Sequence, residues 1–330
     1  MTRVTGSPGF SVGSLVTPSG VYLGDPTPGD PDWIGLRMAG ITGTDVVAIV
    51  GESRRDNART VWHHKRGDVL ERLDDDPDDP DNEPARWGNL LEPLVAHEWA
   101  RRRKAYLAPG GIFGNHDVPW MRSQLDRLLL VCPDVPAQDE IVCALEVKTR
   151  NAFVAAKWRD DVPDDVLAQA AWQRLVTGLD HVHVACLIGG QRLIDHTYRA
   201  DEQLEAYLFG AAQRVWQQVQ DDEPPEVEWD RIMAELLEKL APNRSGAREM
   251  TPKEYTKLMG AWVAKCEHAA IAGRAKAHAE AVIKNAMGSG EDAVEILTRD
   301  GDPVFTWKAV DRDAYAVAPT TYRALRGPKL

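Results

Sequence analysis

The chain of 330 residues carries 39 Lys and Arg against 51 Asp and Glu, a formal net charge of −12, and 43% of its residues are hydrophobic. This length suffices for one large domain or two smaller ones, and the composition excludes a globally disordered chain. No apolar run approaches the roughly 18 residues of a membrane span, and the N-terminus lacks the basic start and apolar stretch of a secretory signal. We therefore expect a soluble, cytoplasmic protein.

The first hundred residues are predicted to contain two helices. Residues 1–31, rich in Gly, Pro and Ser, are expected to form a flexible lead-in. An apolar helix follows within 33–50, capped by Thr44 or Asp45, and residues 52–83 form a polar insertion that ends in an acidic run. The second helix, over 89–104, ends in a basic cluster at 101–104. This cluster is typical of a solvated helix end, with contact to DNA phosphates as the alternative.

The middle of the chain alternates between strand and helix patterns. Strands are predicted over 125–132 and 141–149, a helix over 166–178, strands over 181–188 and 194–198, and a helix over 201–220. This order indicates an α/β fold in which helices cover a mixed sheet.

The last third of the chain is predicted to form a separate extension. A Pro-rich acidic stretch at 222–225 marks the boundary, so the expected organisation is a core at 32–222 and a C-terminal extension at 223–330. The extension should contain a long amphipathic helix over 251–287 and a terminal β-hairpin whose tight turn includes Asp300 and Gly301.

The cysteines and two of the histidines carry atoms that can bind a metal ion. The four cysteines lie far apart and form no CxxC pair: Cys132, Cys143, Cys186 and Cys266. This spacing favours reduced core cysteines over a zinc or iron–sulfur site. His181 and His183 could share a strand face as ligands, but histidines at a strand end with solvated or hydrogen-bonded rings are the favoured interpretation.

Three charged residues form the candidate catalytic centre. Glu146 and Lys148 are two apart on a predicted strand, so they share one face, and Asp126 begins the preceding strand. If the two strands pair, Asp126 reaches Glu146. Two carboxylates suit a hard divalent cation, and a neighbouring lysine can orient or deprotonate a water, which is what phosphodiester hydrolysis needs. For Glu146 and Lys148 alone, an ion pair at a sheet edge is an equally good interpretation.

Further segments surround these residues in a fixed order. They are Leu36-Arg37, GITGTD at 40–45, RWGNLLE at 86–92, Asp126, LEVKT at 145–149, LAQAAWQ at 167–173 and VTG at 176–178. The series resembles the lambda-exonuclease family, also called YqaJ-like viral recombinases, within the PD-(D/E)XK nuclease superfamily. The resemblance covers about residues 32–220. It implies a central mixed β-sheet flanked by helices and a phage origin.

The resemblance also implies a metal centre. Asp126 and Glu146 match the metal-binding carboxylates of the family, and Glu92 matches a helix-borne acidic residue that completes the site. The Val147 carbonyl would be a further ligand, and Lys148 matches the catalytic lysine. The expected cofactor is Mg²⁺, for which Mn²⁺ substitutes.

Three further positions match the family outside the metal ligands. Gln169 corresponds to a glutamine close to the catalytic lysine, and Arg37 to an arginine that binds the 5′-phosphate of the DNA. Thr44 stands where the family usually has Ser, and its hydroxyl is kept. Leu125 replaces the proline that gives the superfamily its name, a position without a chemical role.

The function implied is a Mg²⁺-dependent exodeoxyribonuclease that degrades linear double-stranded DNA 5′→3′ and leaves a 3′ single strand. No Gly-Lys dipeptide of an ATP-binding loop occurs, so the activity should not require ATP. The expected partners are DNA ends, a single-strand annealing protein and copies of the chain in a ring, with a trimer favoured. A structure-specific or single-strand nuclease and a non-catalytic clamp on DNA ends are the alternatives.

Overall fold

A computed structural model describes residues 17–68, 83–135, 141, 143–159, 161–227, 231–240, 251–287, 294–297 and 303–307. The chain divides into two compact units, Met1–Arg244 and Ser245–Leu330. This division lies beyond the boundary expected at 222–223, because the helix Arg231–Leu240 belongs to the first unit. Met233 and Leu236 of that helix are buried, and Arg231 donates a hydrogen bond to the Arg54 carbonyl (3.1 Å).

Helices and strands alternate in the first unit. The helices are α1 (Pro31–Met38), α2 (Gly43–Ile49), α3 (Ala58–Arg66), α4 (Glu83–Arg103), α5 (Asp164–Thr177), α6 (Glu202–Gln220) and α7 (Arg231–Leu240). The strands are β1 (Gly20–Gly24), β2 (Tyr106–Asn115), β3 (Arg122–Val131), β4 (Cys143–Arg150), β5 (His181–Ile188) and β6 (Arg192–Arg199). A 3₁₀ helix, Ala152–Trp158, follows β4.

The strands form one mixed sheet in the order β1-β2-β3-β4-β5-β6. Strands β4 and β5 are parallel, with Cys143 beside His181, and the other neighbours are antiparallel. A parallel pair needs a crossover connection, which the 3₁₀ helix and α5 supply. The predicted α/β architecture with a central mixed sheet flanked by helices is therefore confirmed.

Helices cover the sheet on both faces. On one face, Val95 and Trp99 of α4 pack against Leu145 of β4. On the other face, α5 packs against the sheet through Trp172 and contacts α2 and α6. Because side chains alternate along a strand, residues 143, 145 and 147 face α4, whereas 144, 146 and 148 face α5.

Two elements lie in segments that were predicted to lack regular structure. Strand β1 occupies part of the expected flexible lead-in, because its backbone pairs antiparallel with β2. Helix α3 lies in the expected polar insertion, where Asn57 caps it and Val61 and Trp62 are buried. The Trp62 indole donates to the Gln218 carbonyl of α6 (3.0 Å). The acidic run at 74–81 and residues 1–16 lie outside the described residues.

Strand β2 was not predicted, because its Pro-Gly-Gly stretch interrupts the apolar alternation typical of a strand. The structure shows why Gly110 is needed there: a Cβ at this position would lie 1.8 Å from the Leu125 carbonyl oxygen of β3. Gly111 follows with φ +115°, a backbone conformation that favours glycine. The close approach of β3 requires glycine at 110, and the backbone conformation favours glycine at 111. The same two glycines make the strand hard to recognise in the sequence.

The second unit contains the predicted long helix and the predicted hairpin: α8 spans Pro252–Met287, and β7 (Val294–Leu297) pairs antiparallel with β8 (Pro303–Trp307). The expected amphipathic character of the helix is wrong over 267–282, where residues on all sides of α8 are exposed. The expected turn residues lie outside the described part. Among the described helices, none combines the length and apolarity that a membrane crossing requires.

The start of α2 is fixed by a buried ion pair. Thr42, rather than the expected Thr44 or Asp45, caps the helix, and its backbone amide and hydroxyl both donate to Asp45 Oδ2 (2.7 Å each). Lys65 of α3 lies 2.7 Å from the same oxygen and donates to the Arg37 carbonyl (2.9 Å). Both charged side chains are buried, with 1% of the Lys65 side chain and 5% of the Asp45 side chain exposed.

Replacing Asp45 by Asn is expected to lower the free energy of unfolding at pH 7 by about 3–5 kcal/mol, because Lys65 would stay buried without its counter-ion. Burial alone would raise the pKa of Asp45, but Lys65 and Arg37 overcome it and hold the pKa below its ordinary 3.8. The folded-state pKa is thus depressed. The stabilisation is present above the unfolded-state pKa and is lost as the pH falls through the folded-state pKa.

Denaturant unfolding of wild type and Asp45→Asn at pH 7 and at progressively lower pH measures this difference. The exposed Glu52 near the end of α2 provides a control, since Glu52→Gln should change stability by no more than about 0.5 kcal/mol. A difference between wild type and Asp45→Asn that stays constant as the pH falls below about 4 would contradict the assignment.

Candidate active site

The pairing of β3 with β4 brings two carboxylates together. Arg127 lies opposite Leu145 in the antiparallel register, so the preceding residue of β3 lies beside β4 one step further on. Asp126 Oδ2 accepts a hydrogen bond from the Val147 amide (2.7 Å). The Glu146 side chain is buried on the α5 face, with 1% of its surface exposed. The expected approach of Asp126 to Glu146 is therefore confirmed.

A third carboxylate reaches this place from helix α4. Glu92 Oε1 lies 2.7 Å from Arg127 Nη1, the residue next to Asp126. Burial, together with the carboxylates of Glu146 and Glu92, raises the pKa of Asp126 well above its ordinary range, while Lys148 opposes them. Because Arg127 pairs with Glu92, the excess negative charge of the centre comes from Asp126 and Glu146, which face the single ammonium of Lys148. Carboxylate oxygens that carry excess negative charge suit a hard divalent cation.

Lys148 lies within this carboxylate cluster. Its ammonium contacts Glu146 Oε1 and donates to Gln169 Oε1 (3.0 Å). Burial would lower the pKa of Lys148, but Glu146 and Asp126 outweigh that effect and raise it. With these partners the lysine carries its proton at neutral pH.

Two glutamines one turn apart on α5 hold the charged groups in place. Gln169 accepts from Lys148, and Gln173 donates through Nε2 to Glu146 Oε2 and to the Gln124 carbonyl (3.2 Å). The role of Gln173 was missed in the sequence, although its spacing of four from Gln169 places both on one helix face. The two glutamines that hydrogen-bond to Lys148 and Glu146 thus lie on one face of α5.

Arg37 and Thr44 form a second polar site beside the first. Arg37 Nη2 donates to Thr44 Oγ1 (3.0 Å), and the guanidinium carbon lies 4.5 Å from the centre of the Trp33 ring. The Thr42 and Thr44 hydroxyls are 3.1 Å apart. The Thr42 hydroxyl already donates to Asp45. The Arg37 guanidinium beside the Thr44 hydroxyl is suited to a phosphate oxygen.

Gly43 connects the two sites. A Cβ on Gly43 would lie 3.2 Å from Gln169 Cγ, so the start of α2 approaches α5 closely enough that a larger residue would push against it. The loop before α2 is anchored to β3 by backbone hydrogen bonds between Ile41 and both Trp120 (2.7 Å) and Arg122 (2.9 Å). Arg37 and Thr44 are therefore positioned relative to Lys148 through Gln169.

The basic cluster at the end of α4 pairs with acidic side chains of the protein. Arg101 and Arg102 pair with Glu98 at 2.8 and 2.7 Å, and Arg103 pairs with Asp134 at 2.7 Å. Arg101 and Arg102 share one carboxylate, so the cluster keeps an excess of positive charge. Its interpretation as a solvated helix end stays a prediction.

On the α4 face of the sheet, two cysteines and two histidines converge. Their ligand atoms all lie within 4.8 Å of one another, and the four residues are buried: Cys132, Cys143, His181 and His183. The expected hydrogen bonds of the histidine rings are present. The convergence with the cysteines was not anticipated, because neither pair carries a zinc-site spacing in the sequence.

Comparison with known proteins identifies the relatives of this chain. Residues 32–180 match the family described as the YqaJ-like viral recombinase domain. The chain is similar to the uncharacterized protein YqaJ of Bacillus subtilis strain 168, with 25% identity over 219 residues. This alignment covers 63% of the chain and 62% of the relative, which is less than two thirds of the relative's length.

Two solved structures are similar to this chain over part of its length. One is an alkaline exonuclease, LHK-Exo, from Laribacter hongkongensis, with a TM-score of 0.48, 12% identity, and coverage of 58% of this chain and 94% of that one. The other is a phage related exonuclease from Haemophilus somnus 129PT, with a TM-score of 0.37, 12% identity and coverage of 56% and 96%. Residues 32–180 of this chain are thus similar to the YqaJ-like viral recombinase domain.

Proposed function

We propose that this chain is a metal-dependent, ATP-independent exodeoxyribonuclease. It would degrade linear double-stranded DNA 5′→3′ and leave a 3′ single strand for recombination by annealing. The observation that carries the proposal is that Asp126 and Glu146 meet the half-buried Lys148, with Glu92 close enough to raise the pKa of Asp126. The match over 32–180 supports the same assignment.

The carboxylate cluster would hold the metal. Asp126, Glu146 and Glu92, with the Val147 carbonyl, offer oxygen donors alone, which fits Mg²⁺ and also Mn²⁺. Burial, together with the Glu146 and Glu92 carboxylates, raises the pKa of Asp126, and a divalent cation would favour its ionised form. When bound, the metal supplies Lewis-acid stabilisation of the phosphate and leaving oxygen and lowers the pKa of a water.

Lys148 is the catalytic residue that acts on the attacking water. Its ammonium, held between Glu146 and Gln169, would orient the water and offset negative charge that develops on the phosphate. Gln169 and Gln173 act as positioning residues. Gln169 aims the ammonium, and Gln173 fixes the carboxylate that the ammonium contacts.

Arg37 and Thr44 would bind the 5′-phosphate at the DNA end. The contact between Gly43 and Gln169 links this phosphate site to Lys148, so the distance between the anchored end and the cleaved bond would be set by the packing of α2 on α5. A nuclease with such an anchor would proceed from the 5′ end. This arrangement supports the proposed polarity.

The proposal extends to the assembly and its partner. By its resemblance to the lambda-exonuclease family, the chain would form a ring of identical copies, a trimer, around the DNA. The single strand that it leaves would pass to a single-strand annealing protein.

Replacing Lys148 by Ala is expected to lower the rate of nucleotide release from linear duplex DNA by about 10²–10⁴-fold, because the attacking water loses its orienting group. The measurement is made in Mg²⁺ without ATP. Lys257 of α8, an exposed lysine, supplies the matched control, and Lys257→Ala should retain the wild-type rate. A Lys148→Ala variant as fast as wild type would contradict the assignment. If the wild-type protein binds DNA ends but degrades no DNA, the result would favour the alternative of a non-catalytic clamp on DNA ends.

Replacing Arg37 by Ala should abolish the preference for a 5′-phosphorylated end. A hydrogen bond to a charged group contributes about 1.5–3 kcal/mol, so the ratio of rates on phosphorylated and hydroxyl ends should fall by about tenfold to a hundredfold. Arg192 of β6 is exposed, and Arg192→Ala should leave this ratio unchanged. Equal losses on both substrates in Arg37→Ala would show that the arginine does not read the phosphate.

A further inference from the structure

The buried cluster on the α4 face is built from three neighbouring strands. Cys132 directly follows β3, Cys143 begins β4, and His181 and His183 lie on β5. The parallel register of β4 and β5 places Cys143 beside His181. Sheet pairing, rather than local sequence, therefore brings the four side chains to one point.

The distances within the cluster match the edges of a coordination tetrahedron. Cys132 Sγ lies 3.3 Å from His181 Nε2 and 3.4 Å from His183 Nε2, and the two Nε2 atoms are 3.1 Å apart. A tetrahedral zinc ion with usual bond lengths would separate its ligands by about 3.3 Å between nitrogens and about 3.6 Å between sulfur and nitrogen. The observed separations leave room for one ion at the centre.

The outer ring nitrogens of both histidines are already engaged. His181 Nδ1 lies 2.8 Å from Asp180 Oδ2, and because an ionised carboxylate only accepts, Nδ1 carries the proton. The Nε2 atom of His181 then points into the cluster. His183 Nδ1 lies 3.0 Å from Thr197 Oγ1, so its Nε2 also points inward. Outer-nitrogen partners of this kind orient metal-binding histidines.

Apart from the polar partners of the outer ring nitrogens, the neighbours of the cluster are largely apolar. Trp99, Leu129 and Leu145 belong to the same buried group, and the Trp99 and His183 ring centres are 5.0 Å apart. Four polar atoms confined in such surroundings are costly unless they satisfy one another. Two thiolates and one divalent cation are neutral in sum, which makes the occupied site compatible with burial.

We propose that Cys132, Cys143, His181 and His183 bind one structural Zn²⁺. The donor set of two sulfurs and two imidazole nitrogens, without an open position or a carboxylate ligand, is that of a closed structural zinc site. Binding releases the two thiol protons to solvent and forms two Zn–S and two Zn–N bonds.

The site would fasten the strands that carry the catalytic carboxylates. Strand β3 pairs with β4 at Arg127–Leu145 and Leu128–Ala144. Cys132 and Cys143 lie beyond the end of this pairing that is farther from Asp126. An ion bound to both cysteines would therefore extend the connection between the two strands. The ion would lie on the face opposite Glu146 and would be separate from the proposed Mg²⁺ centre. This inference does not depend on the proposed nuclease activity.

Metal analysis of the full chain, purified from zinc-supplemented medium without chelator, tests the site. We expect about one Zn²⁺ per chain, bound through two sulfurs at about 2.3 Å and two nitrogens at about 2.0–2.1 Å in X-ray absorption. Exchange for Co²⁺ should give the visible bands of tetrahedral thiolate-bound cobalt. Removal of the Zn²⁺ should lower the melting temperature, and Zn²⁺, but not Mg²⁺, should restore it.

Cys143→Ser and His183→Gln are expected to lose the bound Zn²⁺, whereas Cys266→Ser, which changes a cysteine of α8, should keep it. The wild-type spectra decide the question even if the ligand variants fail to fold. Wild-type protein that is folded without zinc after growth in zinc overturns the proposal. So does iron in place of zinc, or zinc retained at full occupancy in a folded Cys143→Ser variant.

Discussion

The hydrogen bond from the Val147 amide to Asp126 Oδ2 fixes the geometry on which the candidate site depends. It connects β3 to β4 one step beyond their backbone pairing and brings the Asp126 carboxylate next to Glu146. A slip of one residue between these strands would move Glu146 and Lys148 to the α4 face, because strand side chains alternate. The register of two strands therefore decides whether the three charged groups meet.

The same convergence is costly to the folded protein. Burial and neighbouring carboxylates raise the pKa of Asp126, so its ionised form is disfavoured in the folded chain without a cation. A sequence optimised for stability alone would not place Asp126, Glu146 and Glu92 together. Local conflicts of this kind are typical of functional sites, where stability is given up for chemistry.

Much of the catalytic half of the fold was predictable from local patterns. Strand β5 is bounded as predicted, because a strand pattern of eight residues, six of them apolar, ends at Gly189 and Gly190. The strand period of two placed Glu146 and Lys148 on one face, and the order of motifs supplied Glu92 and Gln169. The strand and the shared face depend on residues that are close together in the sequence. The assignments of Glu92 and Gln169 depend on motifs that follow one another in a fixed order.

Other features depend on contacts that the sequence does not display. Strand β2 was missed because Gly110 is required by the close approach of β3. The Cys132 and His181 pair was missed because 49 residues separate them and only the order of strands brings them together. The predicted cap of α2 was wrong because Thr42 and Asp45 cap the helix together. The position of Asp45 depends on its ion pair with the buried Lys65, which is distant in the sequence.

The most direct test of the central claim compares linear and covalently closed circular duplexes of one sequence, digested in Mg²⁺ without ATP by wild type and Asp126→Asn. We predict that wild type degrades only the linear DNA and that Asp126→Asn degrades neither. Without Mg²⁺ the variant should melt no lower than wild type, because it removes one of three converging carboxylates. Cleavage of the circles by wild type would contradict an exonuclease. An active Asp126→Asn variant would contradict the proposed metal centre.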